Sequence, residues 1–289
     1  MSQKDRRILQ RIKLRKRLGQ HMLLDPNINR KMVDAAGLTE KDLVVEVGSG
    51  YGGLTEFLAQ HGGQVFSIEI DPRFETILRE KLAASPNVYI FIGDVLNHDL
   101  ADLLADHLPH DGPLKMVSNL PYYITSPILA HFLESSLFFE TMVVMVQKEV
   151  AQRLTAGPGG RDCGVLSLIS RFYAEIDKIG NVPRTCFRPM PDVESSIVRF
   201  RCRRKTAAEG AHKDFLFRVI RAAFGERRKM VKNALQRSRD LPFSREEIEA
   251  GLSAAQINGE RRAETLDLEE FLQLARALPW RQEDVNTSA

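Results

Sequence analysis

Cysteine is scarce in this sequence. Cys163, Cys186 and Cys202 are odd in number and form no C-x-x-C pair, which excludes a framework of paired disulfides and a cysteine-built zinc site. No metal is therefore expected. Apolar runs are short as well: none approaches the roughly 18 residues a membrane-spanning helix needs, so no membrane partner is expected. The opening stretch MSQKDRRILQRIKLRKR lacks the apolar core of a secretory signal, and it is too poor in serine for a mitochondrial transit peptide. No internal repeat is visible. These absences point to a reducing, cytoplasmic setting.

What is present is an ordinary core and an uneven charge. The 289 residues are 43% hydrophobic and 27% charged, enough for two domains. The net charge is only +3, yet residues 1–17 alone carry +7 and residues 218–239 another +7, leaving −11 for the remainder. Two dense basic clusters in one chain point to a polyanionic partner, most simply a nucleic acid. Arg15, Lys16 and Arg17 in the first cluster, and Arg227, Arg228, Lys229 and Lys232 in the second, are the candidate RNA contacts.

Short apolar runs alternate with longer amphipathic ones. LVVEV (43–47), QVFSIEI (64–70), VYIFI (88–92), LKMVSN (114–119) and TMVVMVQ (141–147) read as buried strands, too short and too β-branched for buried helices. Segments such as RFETILREKLAA fall between them. This is the rhythm of βαβ units and a parallel sheet covered by helices. Strands near 171–179 and 194–202 suit an antiparallel edge hairpin and complete a seven-stranded, mostly parallel, Rossmann-like α/β sheet. Beyond the polar linker around 203–213, DFLFRVIRAAFGERRKMVKNALQ, SREEIEAGL and DLEEFLQLARAL are helical, with no strand candidate. The expected organisation is a basic extension over 1–17, a catalytic α/β domain over 18–205, an all-α domain over 206–280 and a disordered tail over 281–289.

The chemistry starts in VVEVGSGYGGLT, which follows the first buried strand and opens a helix. Gly48, Gly50 and Gly53 match G-x-G-x-x-G, and four glycines in six residues exceed what a bare turn needs. Glu46 stands where a carboxylate would oppose a pyrophosphate, but a ligand bearing an ammonium and a sulfonium tolerates it. Glu69 ends the second strand, placed to accept from both ribose hydroxyls. Asp94 ends the third, placed to accept from an adenine amine. This set describes S-adenosylmethionine better than a nicotinamide dinucleotide.

A second motif, SNLPYYITSP (118–127), falls at the end of the fourth strand, beside the same crevice. An exocyclic base amine is a weak nucleophile because its lone pair is delocalised into the ring. An enzyme that methylates it must accept the amine hydrogens, and the Asn119 side-chain oxygen and the Leu120 carbonyl are suitable acceptors. Pro121 stiffens that carbonyl's position, and Tyr122 offers a face on which a base can stack. A nicotinamide-linked oxidoreductase gives no account of this motif. A binding factor for ribosomal particles, with methyl transfer secondary, remains a compatible alternative.

These motifs resemble the ribosomal RNA adenine dimethyltransferase family over about residues 15–272. KRLGQHMLLD, VEVGSGYGGLT, SNLPYYITSP, VQKEVAQRLTAGPGG, FRPMPDVESSIVRF, FGERRKM and RAETLDLEEF occur in the family's order, and the last two favour its small-subunit over its large-subunit branch. The resemblance implies a class I methyltransferase sheet with a helical C-terminal domain. It implies transfer of two methyls to each of two adjacent adenines in the 3′-terminal hairpin of small-subunit ribosomal RNA, within an immature subunit. It implies that His21, Leu23, Gly48, Glu69, Asp94 and Asn119 contact the cofactor, that Asn119, Leu120 and Tyr122 hold the base, and that Phe187 is a second stacking face. His21, Ser49 and Tyr123 depart from the family's usual Asn, Pro and Asn; none removes a group the chemistry needs. Nothing in the sequence calls for more than a monomer.

Overall fold

The computed structural model describes residues 20–108, 111–160, 162–204, 211–226 and 228–279. The 1–17 extension with Arg15, Lys16 and Arg17, the 281–289 tail and Arg227 lie outside the described residues. In chain order the elements are β1 (Met22–Leu23), α1 (Pro26–Ala36), β2 (Leu43–Val47), α2 (Gly53–His61), β3 (Gln64–Glu69), α3 (Glu75–Lys81), β4 (Val88–Ile92), α4 (Leu100–Leu103), β5 (Leu114–Asn119), α5 (Thr125–Leu133) and β6 (Phe139–Gln147). They continue with α6 (Lys148–Thr155), α7 (Val165–Tyr173), β7 (Ala174–Val182), β8 (Phe187–Arg188), β9 (Ser195–Cys202), α8 (Ala211–Gly225), α9 (Val231–Arg237), α10 (Arg245–Ala254) and α11 (Leu268–Ala277).

Seven strands form one sheet in the order β4-β3-β2-β5-β6-β9-β7. The ladders from β4 to β6 are parallel, whereas β9 runs antiparallel to β6, with Val144 opposite Val198. All five residues of β2 are buried, as a strand covered on both faces requires. The chain winds outward from β2 to β4 and then returns to place β5 on the other side of β2. This reversal opens a crevice at the carboxyl ends of β2 and β5. Val44, Val65, Val117, Val143 and Met145 of the sheet pack with Met32, Val33, Leu54 and Leu58 of α1 and α2. Helix α1 begins where Asp25 accepts from the Asn27 N–H and ends at Gly37, whose φ of 56° closes the last turn.

The chain forms two compact units. One takes the described residues up to Ala151 together with Glu175–Arg204; the other takes Gln152–Ala174 together with the described residues from 211 onward. The single boundary drawn at 205/206 from the sequence therefore misses an excursion. Helix α7 packs Leu168, Ile169 and Phe172 among Phe215, Phe217, Phe224 and Phe271 of the helical unit. Its apolar stripe is also why the strand expected to start near 171 starts at Ala174. The helix expected across 214–236 is two helices, because α8 stops at Gly225 and α9 starts at Val231. Between them the Lys229 N–H donates to the Glu226 carbonyl, closing a turn. Helices α10 and α11 each open on a reciprocal cap, Ser244 with Glu247 and Asp267 with Glu270. Among the described residues no helix is long and apolar enough to cross a membrane.

Candidate active site

From the end of β2 the chain turns through Gly48, Gly50 and Gly52, with φ of 85°, 55° and 78°, before entering α2. These left-handed angles favour glycine, and two of the positions are also crowded. A Cβ on Gly48 would stand 3.4 Å from the Asn119 carbonyl oxygen and 3.6 Å from Pro121 Cδ. A Cβ on Gly50 would stand 2.9 Å from the Met22 sulfur. The glycine loop, the β5 turn and the β1 strand thus converge on a cradle that side chains on the loop would fill.

The cradle floors a cleft with about 950 Å³ of unfilled space, its mouth included. His21, Leu23, Gly48, Gly50, Glu69, Asp94 and Asn119, the expected cofactor contacts, all line it, together with Leu120, Pro121 and Tyr122. The segment carrying His21 and Leu23 is held by backbone pairing of β1 with β8, where Met22 faces Arg188 and Leu23 faces Phe187. Tyr51 donates its hydroxyl to the Leu23 carbonyl at 2.7 Å, and Gln20 donates to Asp71 at 2.8 Å. Neither anchor was legible beforehand. The β1–β8 pair is only two residues long, and Asp71 looks like any acid beyond a strand end.

Three acids shape the electrostatics. Glu46 is fully buried, and its Oε2 accepts from Thr55 at 2.6 Å and Ser67 at 2.9 Å. Burial pushes its carboxyl up to about 7, with those two hydrogen bonds opposing the shift and the Glu69 charge adding to it. Glu69 accepts from the Gly50 N–H at 2.7 Å through one oxygen and from the Asp71 N–H at 2.9 Å through the other. Burial likewise raises its pKa. Each oxygen keeps one lone-pair site, so the carboxylate can still accept from a diol. Asp94 Oδ1 accepts from the Leu96 N–H at 3.0 Å, which fixes the carboxylate at the cleft wall. Asp71, by contrast, is held well below the usual carboxylate range by its hydrogen bonds to Arg73.

The turn after β5 is rigidly placed. The Leu120 N–H donates to the Met145 carbonyl at 3.1 Å, and the Pro121 carbonyl accepts from the Ile124 N–H and the Thr125 hydroxyl. The Asn119 side-chain amide makes no hydrogen bond to any described residue, and it lines the cleft beside the Gly48 cradle. Tyr122 is anchored through its hydroxyl, 2.5 Å from Ser195 Oγ, and its ring lies 5.6 Å from the His21 ring at 24°. His21 Nδ1 is 2.8 Å from the Pro189 carbonyl. Tyr123, the neighbouring departure, is 48% exposed.

Phe187 does not join this group. It is buried, packs with Leu23 and Val182 in the sheet unit's core and does not line the cleft, so it presents no stacking face there. Pairing of β8 with β1 holds its ring inward. Of the basic candidates, Arg228 and Lys229 are exposed on the turn between α8 and α9. Lys232 is half-buried, with Nζ 3.7 Å from Glu260. Among the described residues no group of three or more His, Cys, Asp or Glu is placed to hold a metal ion.

A mostly parallel sheet with a glycine-floored cleft at its switch point, lined by acids at successive strand ends and an Asn-Leu-Pro-Tyr turn, defines a Rossmann-like nucleotide-site enzyme of the methyltransferase type. The chain belongs to the ribosomal RNA adenine dimethylase family, whose model matches residues 11–279. Among curated proteins it is 44% identical over 268 residues to ribosomal RNA small subunit methyltransferase A of Moorella thermoacetica, covering 91% of this chain and 92% of the relative. The corresponding Geobacillus thermodenitrificans protein is 42% identical over 265 residues, covering 91% and 90%. Among solved structures, the 23S rRNA methyltransferase ErmE superposes with a TM-score of 0.68 at 30% identity, covering 90% of this chain and all of that one. A dimethyladenosine transferase from Plasmodium falciparum gives a TM-score of 0.75 at 24% identity, covering 88% and 96%, a likeness of fold.

Proposed function

We propose that this protein uses S-adenosylmethionine to convert two adjacent adenines in the 3′-terminal hairpin of small-subunit ribosomal RNA to N6,N6-dimethyladenine, acting as a cytoplasmic monomer on an immature subunit. The observation that carries this reading is the meeting of the Asn119–Tyr122 turn with the glycine cradle in one cleft, Gly48 lying against Asn119 and Pro121. Family membership and the small-subunit methyltransferases at 42–44% identity support the substrate.

The residues fit the cofactor. The loop leaves backbone rather than side chains on the cleft floor, Glu69 retains acceptor capacity for ribose hydroxyls, and Asp94 stands on the adjacent strand end for the adenine amine. The bound cofactor supplies an electrophilic methyl on a sulfonium sulfur. The chain's own residues prepare the nucleophile. The Asn119 oxygen and the Leu120 carbonyl accept the two N6 hydrogens of the target adenine, which favours a pyramidal nitrogen with its lone pair out of conjugation. Tyr122 supports the base on a ring already fixed by Ser195 and His21. No strong general base is needed, because the nitrogen loses its proton readily once alkylated. Catalysis then rests on alignment of the two partners. The target adenines must leave the RNA stack to enter the cleft, and basic residues remote from it grip the backbone.

The test is transfer of labelled methyl from S-adenosylmethionine to small subunits that lack this modification, with the labelled nucleotide mapped by reverse-transcription stops. Label on paired adenines near the RNA 3′ end is expected. Label confined to large-subunit RNA would move the protein to the sister activity carried by ErmE's title. Subunit binding without transfer would leave a binding factor.

A further inference from the structure

The cleft contains a buried amide that the mechanism does not use. Asn29 lies on the buried face of α1 beside Met32 and Val33, is 4% exposed, and lines the cleft. Its Nδ2 donates to the Gly53 carbonyl, on the first residue of α2, at 3.2 Å. A carbonyl can only accept, so this bond fixes which way the amide points and leaves Oδ1 as an acceptor. Oδ1 is buried and has no partner. An unpaired buried acceptor carries a desolvation penalty that an aliphatic side chain at the same helix position would avoid. A donor arriving with a ligand removes the penalty.

The surroundings indicate what kind of donor. Glu46 approaches the same first turn of α2 through its bond from Thr55, so two buried acceptors flank that turn. Among the described residues lining the cleft there is no lysine or arginine to answer them. Glu69 and Asp94 occupy the ends of β3 and β4 and match a nucleoside. On the reading of the cleft as an S-adenosylmethionine site, on which this inference rests, the amino-acid end of the cofactor falls to the glycine loop and α2. We propose that Asn29 Oδ1 accepts a hydrogen bond from the α-ammonium of the cofactor's amino-acid end, making Asn29 a selectivity residue for amino-acid-bearing adenosines.

The test compares two ligands by calorimetry on the full chain: S-adenosylhomocysteine, and 5′-methylthioadenosine, which keeps the nucleoside and thioether but lacks the amino acid. Asn29→Leu is expected to weaken S-adenosylhomocysteine roughly tenfold while leaving methylthioadenosine within about twofold, since only the charged hydrogen bond is lost. Asn29→Asp, which keeps an acceptor, is expected to bind S-adenosylhomocysteine at least as well as the native protein. If Asn29→Leu weakens both ligands equally, or neither, the inference is overturned, because a residue that merely braces Gly53 would not discriminate between them. If the native protein fails to bind S-adenosylhomocysteine at all, the cofactor reading itself falls, an outcome distinct from the first.

Discussion

The Glu69 carboxylate, at the end of β3, accepts the Gly50 N–H of the neighbouring glycine loop at 2.7 Å. One acid therefore fixes the loop's shape and presents the remaining lone pairs to the cleft. Glu69→Gln replaces one oxygen by an NH₂ that must oppose either the Gly50 or the Asp71 N–H, both of which now donate to the carboxylate. Affinity for S-adenosylhomocysteine is expected to fall about 10- to 100-fold, the scale of a lost hydrogen bond to a charged group. Methylthioadenosine should weaken in parallel, because the damage lies at the nucleoside end. Calorimetry with both ligands checks this, and a normal affinity for either would remove Glu69 from the ribose site.

Glu46 gives the fold a pH dependence whose sign follows from its burial. Its carboxyl titrates near 4.5 when free and near 7 in the folded protein. Between those values the folded state binds more protons than the unfolded one, so stability falls as pH rises from about 4.5 to about 7 and is flat above. Glu46→Gln keeps an oxygen for Thr55 and Ser67 and cannot ionise. It is expected to lose that slope and to exceed the native protein's stability at pH 8 by on the order of 3 kcal/mol at most. Urea unfolding of both proteins from pH 5 to 8 measures the difference; parallel curves would mean that Glu46 is ionised throughout.

The sheet was largely legible in the sequence because buried parallel strands are dense in β-branched residues and short. LVVEV, VYIFI and LKMVSN correspond to β2, β4 and β5 residue for residue. The cleft was legible for a related reason, since G-x-G-x-x-G and Asn-Leu-Pro-Tyr are punctuation that no packing pattern explains. What escaped depends on distant parts of the chain. Phe187 reads equally well as a stacking face or as core, and only its pairing with Leu23 decides for core. Helix α7 reads as amphipathic, but its periodicity does not say which unit it joins. Asn29 reads as one polar residue in a helix until Gly53 is seen against it.

The turn after β5 separates binding from chemistry. Asn119→Ala removes an acceptor that no described residue holds elsewhere, and should lower kcat about 10²- to 10³-fold with little change in RNA affinity. Tyr122→Phe keeps the ring and loses only the bond to Ser195, so it should retain most activity. Tyr122→Ala removes the stacking face, worth about 1–3 kcal/mol per base, and should act mainly through KM for RNA. Steady-state kinetics on unmodified small subunits separates the three, and full activity of Asn119→Ala would rule out its role as an amine acceptor.

The break between α8 and α9 sharpens the expected RNA contacts. Had 214–236 been one helix, its basic residues would have spread around the cylinder. Instead Arg228 and Lys229 share a short exposed turn, whereas Lys232 lies 3.7 Å from Glu260 and Arg237 lies 3.2 Å from Glu226. Unpaired exposed cations are the ones free to displace counterions from a phosphate backbone, so the turn should carry more of the electrostatic binding than α9. Arg228→Glu combined with Lys229→Glu is expected to weaken binding to small subunits and to flatten its log–log salt dependence by about 1.5 to 2, the scale of two phosphate contacts. Lys232→Glu should have the smaller effect on the slope, since its charge is already partly met. Binding titrations across a range of salt concentrations read both. A salt slope unchanged by the double reversal would place the RNA surface elsewhere on the molecule, and a larger loss from Lys232→Glu than from the pair would mean that Glu260 releases Lys232 when RNA binds.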